Sequence, residues 1–250
     1  MTTDQVISGV TGFATFLAAS ATFLTVWQIA KQRRASYRPE LVISRILFEM
    51  LYQERPWTIE SLAEWREVDS RQEMASNTKQ SPSLSQGFSL RLVNIGLGAA
   101  KDISVLWDFP FESFIRKINE CAQSKDLPTI IEYKKGTIST KDPQVTSFWN
   151  NQRRSSLDYV LPATVEHMPT DLQVPLSYIL AVATAVYVFF HPDVVIKEFI
   201  DLDIPPLNAI VTCEDVAGDK HTAEYDIYLE IHVVHRHLCA GSLQPKKKHA

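Results

Sequence analysis

The chain has 250 residues, of which 45% are hydrophobic and 22% are charged, and this composition is ordinary for a globular domain that buries a core. Its formal net charge of −4 argues against general nucleic-acid binding, which depends on a strongly basic surface. The three cysteines, Cys121, Cys213 and Cys239, form no C-x-x-C pair, so we expect free thiols in a reducing compartment.

The first feature along the chain is an uncharged stretch of 26 residues between Asp4 and Lys31. As a helix it would be about 39 Å long, which exceeds the thickness of a hydrocarbon core of about 30 Å. A cleaved signal peptide would need a basic N-terminal region and a shorter apolar run. A buried amphipathic helix would show a polar face. The stretch therefore predicts a transmembrane helix.

Basic residues follow this stretch at once, and Trp27 lies near the same end, where an amphipathic ring prefers the membrane interface. By the positive-inside rule the N-terminus lies outside and the main domain lies in the cytoplasm. We therefore predict a single-pass protein of the bacterial inner membrane, with residues 1–38 as helix and juxtamembrane segment. The predicted orienting and lipid-contacting bases of this segment are Lys31, Arg33, Arg34 and Arg38.

Small residues recur at spacings of three or four along the predicted helix, and such a stripe lets a second helix approach closely. The stripe predicts a helix-packing face and a homo-oligomer. Its residues are Ser8, Gly12, Thr15, Ala19 and Thr22.

Residues 39–240 are predicted to form one β-rich domain. The segment Leu41–Phe48 is rich in β-branched and apolar residues and predicts its first strand. Residues 53–87 read as a polar insertion that ends in a mobile loop. Within it a three-residue period predicts a short amphipathic helix, through Ile59, Leu62, Trp65 and Val68.

Alternation of apolar and polar residues predicts strands at Phe88–Asn94 and Ile103–Trp107, joined by a turn that contains Gly96 and Gly98. A helical stripe comes next, made of Phe111, Phe114, Ile115 and Ile118.

Short strands are expected at Thr129–Tyr133 and Val145–Trp149, with Lys135 and Gly136 in a turn between them. The clearest hairpin comes late, where Leu207–Cys213 leads through an Asp-Gly turn into His221–Val234. The predicted fold class is membrane-anchored and mainly β (α+β). One N-terminal transmembrane helix precedes an antiparallel β-sandwich or open barrel with a few short helices.

The uncharged segment Val174–Phe190 leaves three alternatives open. It is short for a spanning helix, Pro175 shortens it further, and no basic cluster marks either end. A second span, a membrane-dipping helix and a buried core helix all stay possible at this point.

Candidate chemistry is sparse. His235, His237 and Cys239 lie two apart, and side chains two apart on a strand are about 6.6 Å from each other, too far to close around one ion without a bend. We found no nucleophile elbow or H-E-x-x-H pair, and therefore predict no catalytic residue, no metal and no cofactor. Residues 241–250 read as a basic tail that contacts anionic lipid or is merely solvated, through Lys246, Lys247 and Lys248.

The stretch RLVNIGLGAAKDISVLW and the late DVAGDKHTAEYDIYLEI resemble turn and hairpin patterns of bacterial membrane-anchored proteins of unknown function. The resemblance implies a component of an anti-phage or mobile-element system. Its implied role is that of a binding or effector protein. Our leading interpretation is that the domain binds a protein or a small signal and relays that event to the membrane through oligomerisation of the helix. The alternatives are a passive membrane scaffold for a soluble partner and a membrane-tethered hydrolase.

Overall fold

The computed structural model describes residues 3–51, 65–68, 88–127, 131–140, 146–165, 169–190, 197–200, 203–235 and 238–248. The first element is the helix α1 (Thr3–Ser36), which projects from the rest of the chain. Its segment Gly12–Arg33 is long and apolar enough to cross a membrane, and none of that segment is buried within the protein. The hydroxyls of Ser20, Thr22 and Thr25 donate to carbonyls four residues earlier, which satisfies them inside the helix.

The remainder is mostly antiparallel β structure with three further helices among the described residues. The helices are α2 (Phe111–Ser124), α3 (Trp149–Gln152) and α4 (Leu176–Phe190). The strands are β1 (Leu41–Ile43), β2 (Ile46–Leu51), β3 (Trp65–Glu67), β4 (Ser89–Asn94), β5 (Ala100–Asp108), β6 (Ile131–Lys134), β7 (Thr137–Thr140), β8 (Thr146–Phe148), β9 (Arg154–Val160), β10 (Thr170–Gln173), β11 (Lys197–Ile200), β12 (Leu207–Glu214), β13 (Lys220–His235) and β14 (Leu238–Lys247).

The described strands form three sheets. A curled eight-stranded sheet has the order β3-β2-β14-β13-β12-β5-β9, and β11 pairs with the later part of β13. A three-stranded sheet has the order β1-β4-β10, and a second one has the order β6-β7-β8. Apolar residues alternate inward on β4, β5 and β12, so the sheets share one buried cluster. The expected fold class is confirmed as a mainly antiparallel β domain with few helices.

The predicted first strand, Leu41–Phe48, is wrong as a single element. The chain forms β1 in the three-stranded sheet and β2 in the eight-stranded sheet, with Ser44 and Arg45 between them. The Ser44 amide donates to the carbonyl of Arg91, and the Arg45 guanidinium donates to Ser242 Oγ. These two bonds hold a corner at which the chain changes sheets.

The predicted amphipathic helix is also wrong at Trp65, because this residue begins β3. Trp65 is buried and stacks on Phe48, with ring centroids 4.8 Å apart. The pairing with an aromatic neighbour across the strands outweighs the three-residue period of the sequence. Ile59 and Leu62 lie outside the described residues, as do most of the predicted insertion 53–87 and its mobile loop.

The segment Val174–Phe190 forms the core helix α4. Tyr178, Leu180 and Val188 are fully buried, as are Ser177 and Thr184. The Thr184 hydroxyl donates to the carbonyl of Leu180. A helix that is apolar on all sides and enclosed by protein is a core element rather than a membrane span.

The helix α4 packs against α2, and an aromatic cluster joins them. Tyr178 meets Phe109 edge to face at 5.0 Å, and Phe109 meets Phe114 of α2 at 5.4 Å. The Lys125 ammonium donates to the carbonyl of Phe189, which satisfies an acceptor at the last turn of α4. The helical stripe of α2 is therefore confirmed.

Two further expectations need correction. The turn at Lys135 and Gly136 leads into β7, an unpredicted strand, and Gly136 has φ +79°. Residues 241–247 belong to β14, which pairs with both β13 and β2, so the predicted basic tail is mostly a strand. Lysines, a glycine and a proline mask the strand pattern there. The late hairpin of β12 and β13 is confirmed, and its register places Cys213 opposite His221.

Candidate functional site at the helix–domain junction

The chain leaves α1 directly into the β domain, and a buried asparagine holds this junction. Asn94, at the end of β4, is 1% exposed. Its Oδ1 accepts the amides of Glu40 at 3.1 Å and Gly96 at 3.0 Å. Its Nδ2 donates to the carbonyls of Gly98 at 2.7 Å and Val160 at 3.2 Å. One side chain therefore ties the segment after α1 to two strands of the domain.

The turn after β4 touches the same segment backbone to backbone. A Cβ on Gly96 would lie 2.5 Å from the amide nitrogen of Glu40. A Cβ on Gly98 would lie 2.8 Å from the carbonyl carbon of Tyr37 and closer still to its oxygen. These two glycines are required for close approach rather than for a positive φ. We call residues 37–41 and 94–98 together the junction clamp.

Further bonds fix the clamp to the large sheet. The Ile95 amide donates to the Glu40 carbonyl at 2.8 Å, and the Tyr225 hydroxyl donates to the carbonyl of Leu41. The Lys247 ammonium lies 3.4 Å from a Glu40 carboxylate oxygen. Bonds from β4, β13 and β14 thus converge on the residues that follow α1 and hold this segment against the domain.

A cavity of about 410 Å³ opens beside the clamp and is lined by residues of β1 and of the strands β12, β13 and β14 in the eight-stranded sheet. This volume suits a small ligand rather than a protein surface. Its lining combines charged groups of both signs with hydroxyl and apolar groups, including Arg38, Glu40, Leu41, Leu97, Val211, Cys213, His221, Thr222 and Lys247.

An aspartate and a histidine are paired at the wall of this cavity. Asp215 Oδ2 lies 3.1 Å from His221 Nε2. Asp215 Oδ1 accepts the amides of Ala217 at 2.8 Å and Asp219 at 2.9 Å, which closes the turn between β12 and β13. The hydrogen bond from His221 holds the pKa of the Asp215 carboxyl below its usual range, and the two amides add to this effect.

Cys213 lies directly across the strands from His221 and is 6% exposed. A cysteine, a histidine and an aspartate in this order are the residue types of a nucleophile, a base and an orienting acid. Burial raises the pKa of the Cys213 thiol, and the charge of Asp215 raises it further, while Arg38 opposes both. The thiol is therefore protonated at neutral pH and is a weak nucleophile. The arrangement suits hydrogen bonding to a ligand better than covalent chemistry.

The Asp215–His221 pair gives a prediction for stability against pH. The pKa of Asp215 is lower in the folded protein than the usual 3.8, so its contribution is complete well above pH 3.8. That contribution is lost as the pH falls through the lowered folded value. From about pH 7 to about pH 3, the wild type should therefore lose more stability than Asp215→Asn, measured by urea unfolding at each pH. Asp171→Asn, at an exposed carboxylate on β10, should follow the wild type, and parallel curves for all three proteins would contradict the assignment.

The predicted helix-packing face lies on the exposed part of α1. Gly12, Thr15, Ala19 and Thr22 are exposed, and nothing lies within 4 Å of the position that a Gly12 Cβ would take. The side chains of Ser8 and Arg34 lie outside the described residues. The Lys31 ammonium sits over the Trp27 ring, 5.6 Å from its centroid, at the end of the apolar segment.

The predicted lipid-contacting lysines lie at the junction because β14 ends there. Lys247 pairs with Glu40, which follows α1. Lys248 lies 2.9 Å from Asp226 Oδ1, and Lys246 sits 4.7 Å from the centroid of the Tyr228 ring. The fold thus places Lys246, Lys247 and Lys248 at the same end of the domain as Arg38.

The histidine-rich segment does not assemble a metal centre among the described residues, since no group of three His, Cys, Asp or Glu side chains is placed to hold an ion. His232 bonds to Ser242 Oγ at 3.0 Å. Cys239 is fully buried, and burial raises the pKa of its thiol to about 12. His237 and the side chain of His235 lie outside the described residues. All three cysteines are free thiols, as expected.

Sequence reasoning missed the residues that build this site, namely Asn94, Cys213, Asp215 and His221. The N-x-G-x-G spacing of Asn94, Gly96 and Gly98 was visible, but it indicated only a turn. Comparison of the chain with protein-family models, with curated proteins and with solved structures found no match.

Proposed function

We propose that the protein is a single-pass inner-membrane protein that binds a small signal in the junction cavity and relays the binding to α1. In this proposal α1 spans the bilayer, the N-terminus lies outside and the β domain lies in the cytoplasm. The relay acts by bringing the α1 helices of neighbouring copies together, since confinement to a membrane raises their effective concentration.

One observation carries the proposal: the junction clamp joins the wall of the cavity to the end of α1 without an intervening linker. Leu97 and Glu40 belong to the clamp and also line the cavity. A ligand that displaces either group therefore shifts the backbone at Tyr37, because Gly98 already touches that residue. A flexible linker would absorb such a shift before it reached the helix.

The proposed signal is a small polar molecule with an anionic group. Arg38 and Lys247 supply cationic donors at the cavity, while Leu41 and Val211 supply apolar contact. The protonated Cys213 thiol favours binding over nucleophilic catalysis. The proposed setting is anti-phage defence, in which clustered spans act on the membrane as an effector. A passive scaffold would need neither the cavity nor the stripe of small residues.

Cross-linking of α1 tests the relay. The native cysteines lie outside α1, so Ala19→Cys on the small-residue face and Leu17→Cys, about 160° away around the helix, make a matched pair. In bacterial membranes treated with a thiol oxidant, we expect Ala19→Cys to form disulfide-linked dimers and Leu17→Cys to form few. Adding Gly12→Leu should abolish the Ala19→Cys dimer. Equal yields at both positions would contradict the proposed face, and unchanged yields with Gly12→Leu would favour the scaffold.

A further inference from the structure

Exposed apolar side chains are concentrated at the junction end of the domain. Outside α1, nine large apolar side chains are exposed among the described residues, and three of them (Leu47, Phe148 and Leu176) lie elsewhere. We call the other six the junction rim: Tyr37, Ile95, Leu97, Tyr159, Val165 and Val216, which are 56–69% exposed.

Strand register brings these residues to one end. Ile95 and Leu97 belong to the clamp, beside Tyr37. Val216 lies in the turn after β12, whose last residue Glu214 pairs with Lys101 at the start of β5.

Two more rim residues lie at the same end of the domain. Tyr159 also pairs with Lys101, from the other side of β5. The Val165 amide donates to the carbonyl of Pro162, and Pro162 bridges to Asn94. Three loops, the end of β9 and the residue after α1 therefore present apolar side chains at the junction end of the domain, and Leu97 among them also lines the junction cavity.

The length of α1 beyond its apolar segment fixes how far this rim can stand from a membrane. The helix continues from Lys31 to Ser36, so Tyr37 lies about 9 Å beyond Lys31 along the axis. The headgroup layer on each side of a bilayer is about 5–8 Å thick. Because Gly96 and Gly98 touch Arg38, Glu40 and Tyr37, the turn that carries Ile95 and Leu97 lies within about 4 Å of the headgroup layer.

Charge alone does not account for such a surface. Three of the bases at this end of the domain already have acidic partners: Lys247 lies 3.4 Å from Glu40, Lys248 lies 2.9 Å from Asp226 and Lys220 lies 3.8 Å from Glu214. Of the others, Lys246 lies over the Tyr228 ring and Arg38 lines the cavity. Apolar contact is therefore the main attraction that the rim offers.

We propose that the junction rim rests on the bilayer that α1 crosses, with Leu97 and Val216 in contact with its headgroup layer. This inference rests on the proposed function in one respect, that α1 spans the membrane. The bilayer would then cover the mouth of the junction cavity, so a ligand would enter along the membrane surface and would loosen the contact as it bound.

Lipid quenching of site-specific probes tests the contact in the full-length protein. An environment-sensitive fluorophore is attached to Leu97→Cys or to Val216→Cys in a Cys121→Ser background, since Cys213 and Cys239 are buried. The protein is reconstituted in nanodiscs that contain lipids with a nitroxide near the glycerol. Two controls use the same chemistry: Leu17→Cys in α1, and Glu112→Cys, an exposed position of α2 just beyond the far end of β5.

We expect the probes at positions 97 and 216 to lose about half of their emission to nitroxide lipid, while the probe at position 112 keeps nearly all of its emission. The loss should be similar in zwitterionic and anionic nanodiscs, because the contact is apolar. Unquenched rim probes beside a quenched Leu17→Cys probe would overturn this inference and leave the span intact.

Each of the remaining outcomes would also overturn a specific part of the proposal. An unquenched Leu17→Cys probe would instead overturn the proposed span. Rim quenching confined to anionic nanodiscs would overturn the apolar contact. Blue-shifted rim emission without lipid quenching would assign the rim to a protein partner or a second copy, and would equally overturn the proposal.

Discussion

Gly98→Ala should be the most damaging single substitution at the junction. The added methyl group would lie 2.8 Å from the carbonyl carbon of Tyr37 and closer to its oxygen, and no side-chain rotation can relieve a clash between two backbones. We expect a loss of about 3 kcal/mol or more in the free energy of unfolding of the β domain, measured by urea titration in detergent micelles. The two segments of the clamp should also separate from each other, so that hydrogen exchange rises at the amides of Glu40 and Ile95.

The matched control is Gly12→Ala, which adds the same methyl group where nothing lies within 4 Å. This variant should leave the unfolding of the β domain unchanged. A Gly98→Ala protein with wild-type stability would contradict the backbone contact on which the junction is built.

Asn94→Ala should have the second-largest effect. The substitution removes two hydrogen bonds to amides and two to carbonyls at a position that is 1% exposed. Since buried polar groups left without partners are costly, we expect a loss of about 3 kcal/mol in the same titration. Asn94→Asp should be at least as damaging, because a carboxylate oxygen would face the carbonyls of Gly98 and Val160.

Asn208→Ala serves as the comparison for Asn94. Asn208 is only half-buried, and its amide oxygen accepts a long bond of 3.5 Å from Lys248. The loss there should stay within about 0.5 kcal/mol. Similar losses at both positions would mean that Asn94 is an ordinary polar residue rather than the centre of the clamp.

Local pattern predicted much of the fold. The apolar run of α1, the stripe of α2 and the alternation of β12 and β13 each depend on neighbours a few residues apart, and each was confirmed. The long apolar α4 was ambiguous because high hydropathy indicates only that a helix is shielded from water. It does not indicate whether lipid or protein surrounds the helix.

The sequence did not predict the elements that depend on partners far away along the chain. Trp65 belongs to a strand because Phe48 stacks on it, and no local period carries that information. The strand β14 contains Gly241, Pro245 and two lysines, yet β13 pairs with it as far as Lys247, and β2 pairs with Leu238–Leu243 on its other side. Pairing with a long neighbouring strand thus outweighs residues that would end an isolated strand.

The site was the least predictable part. Asn94 and Glu40 are 54 residues apart in sequence, and the glycines after Asn94 serve a contact with Tyr37 that no turn pattern describes. The Asp215–His221 pair was closer to detection, because an aspartate that opens a hairpin turn and a histidine six residues later face each other across it. Cys213 joins this pair only through the register of β12 and β13, which the sequence pattern did not give.

The central claim is that the β domain controls the packing of α1 through a rigid junction. The most direct measurement is the yield of Ala19→Cys disulfide dimers in a chain that carries a short, flexible Gly-Ser insert between Ser36 and Tyr37. The insert leaves the span and the domain intact and breaks only their connection. We predict that the dimer yield falls several-fold relative to the chain without the insert, while the β domain keeps its stability. An unchanged yield would contradict the account, because α1 would then associate without any influence from the domain.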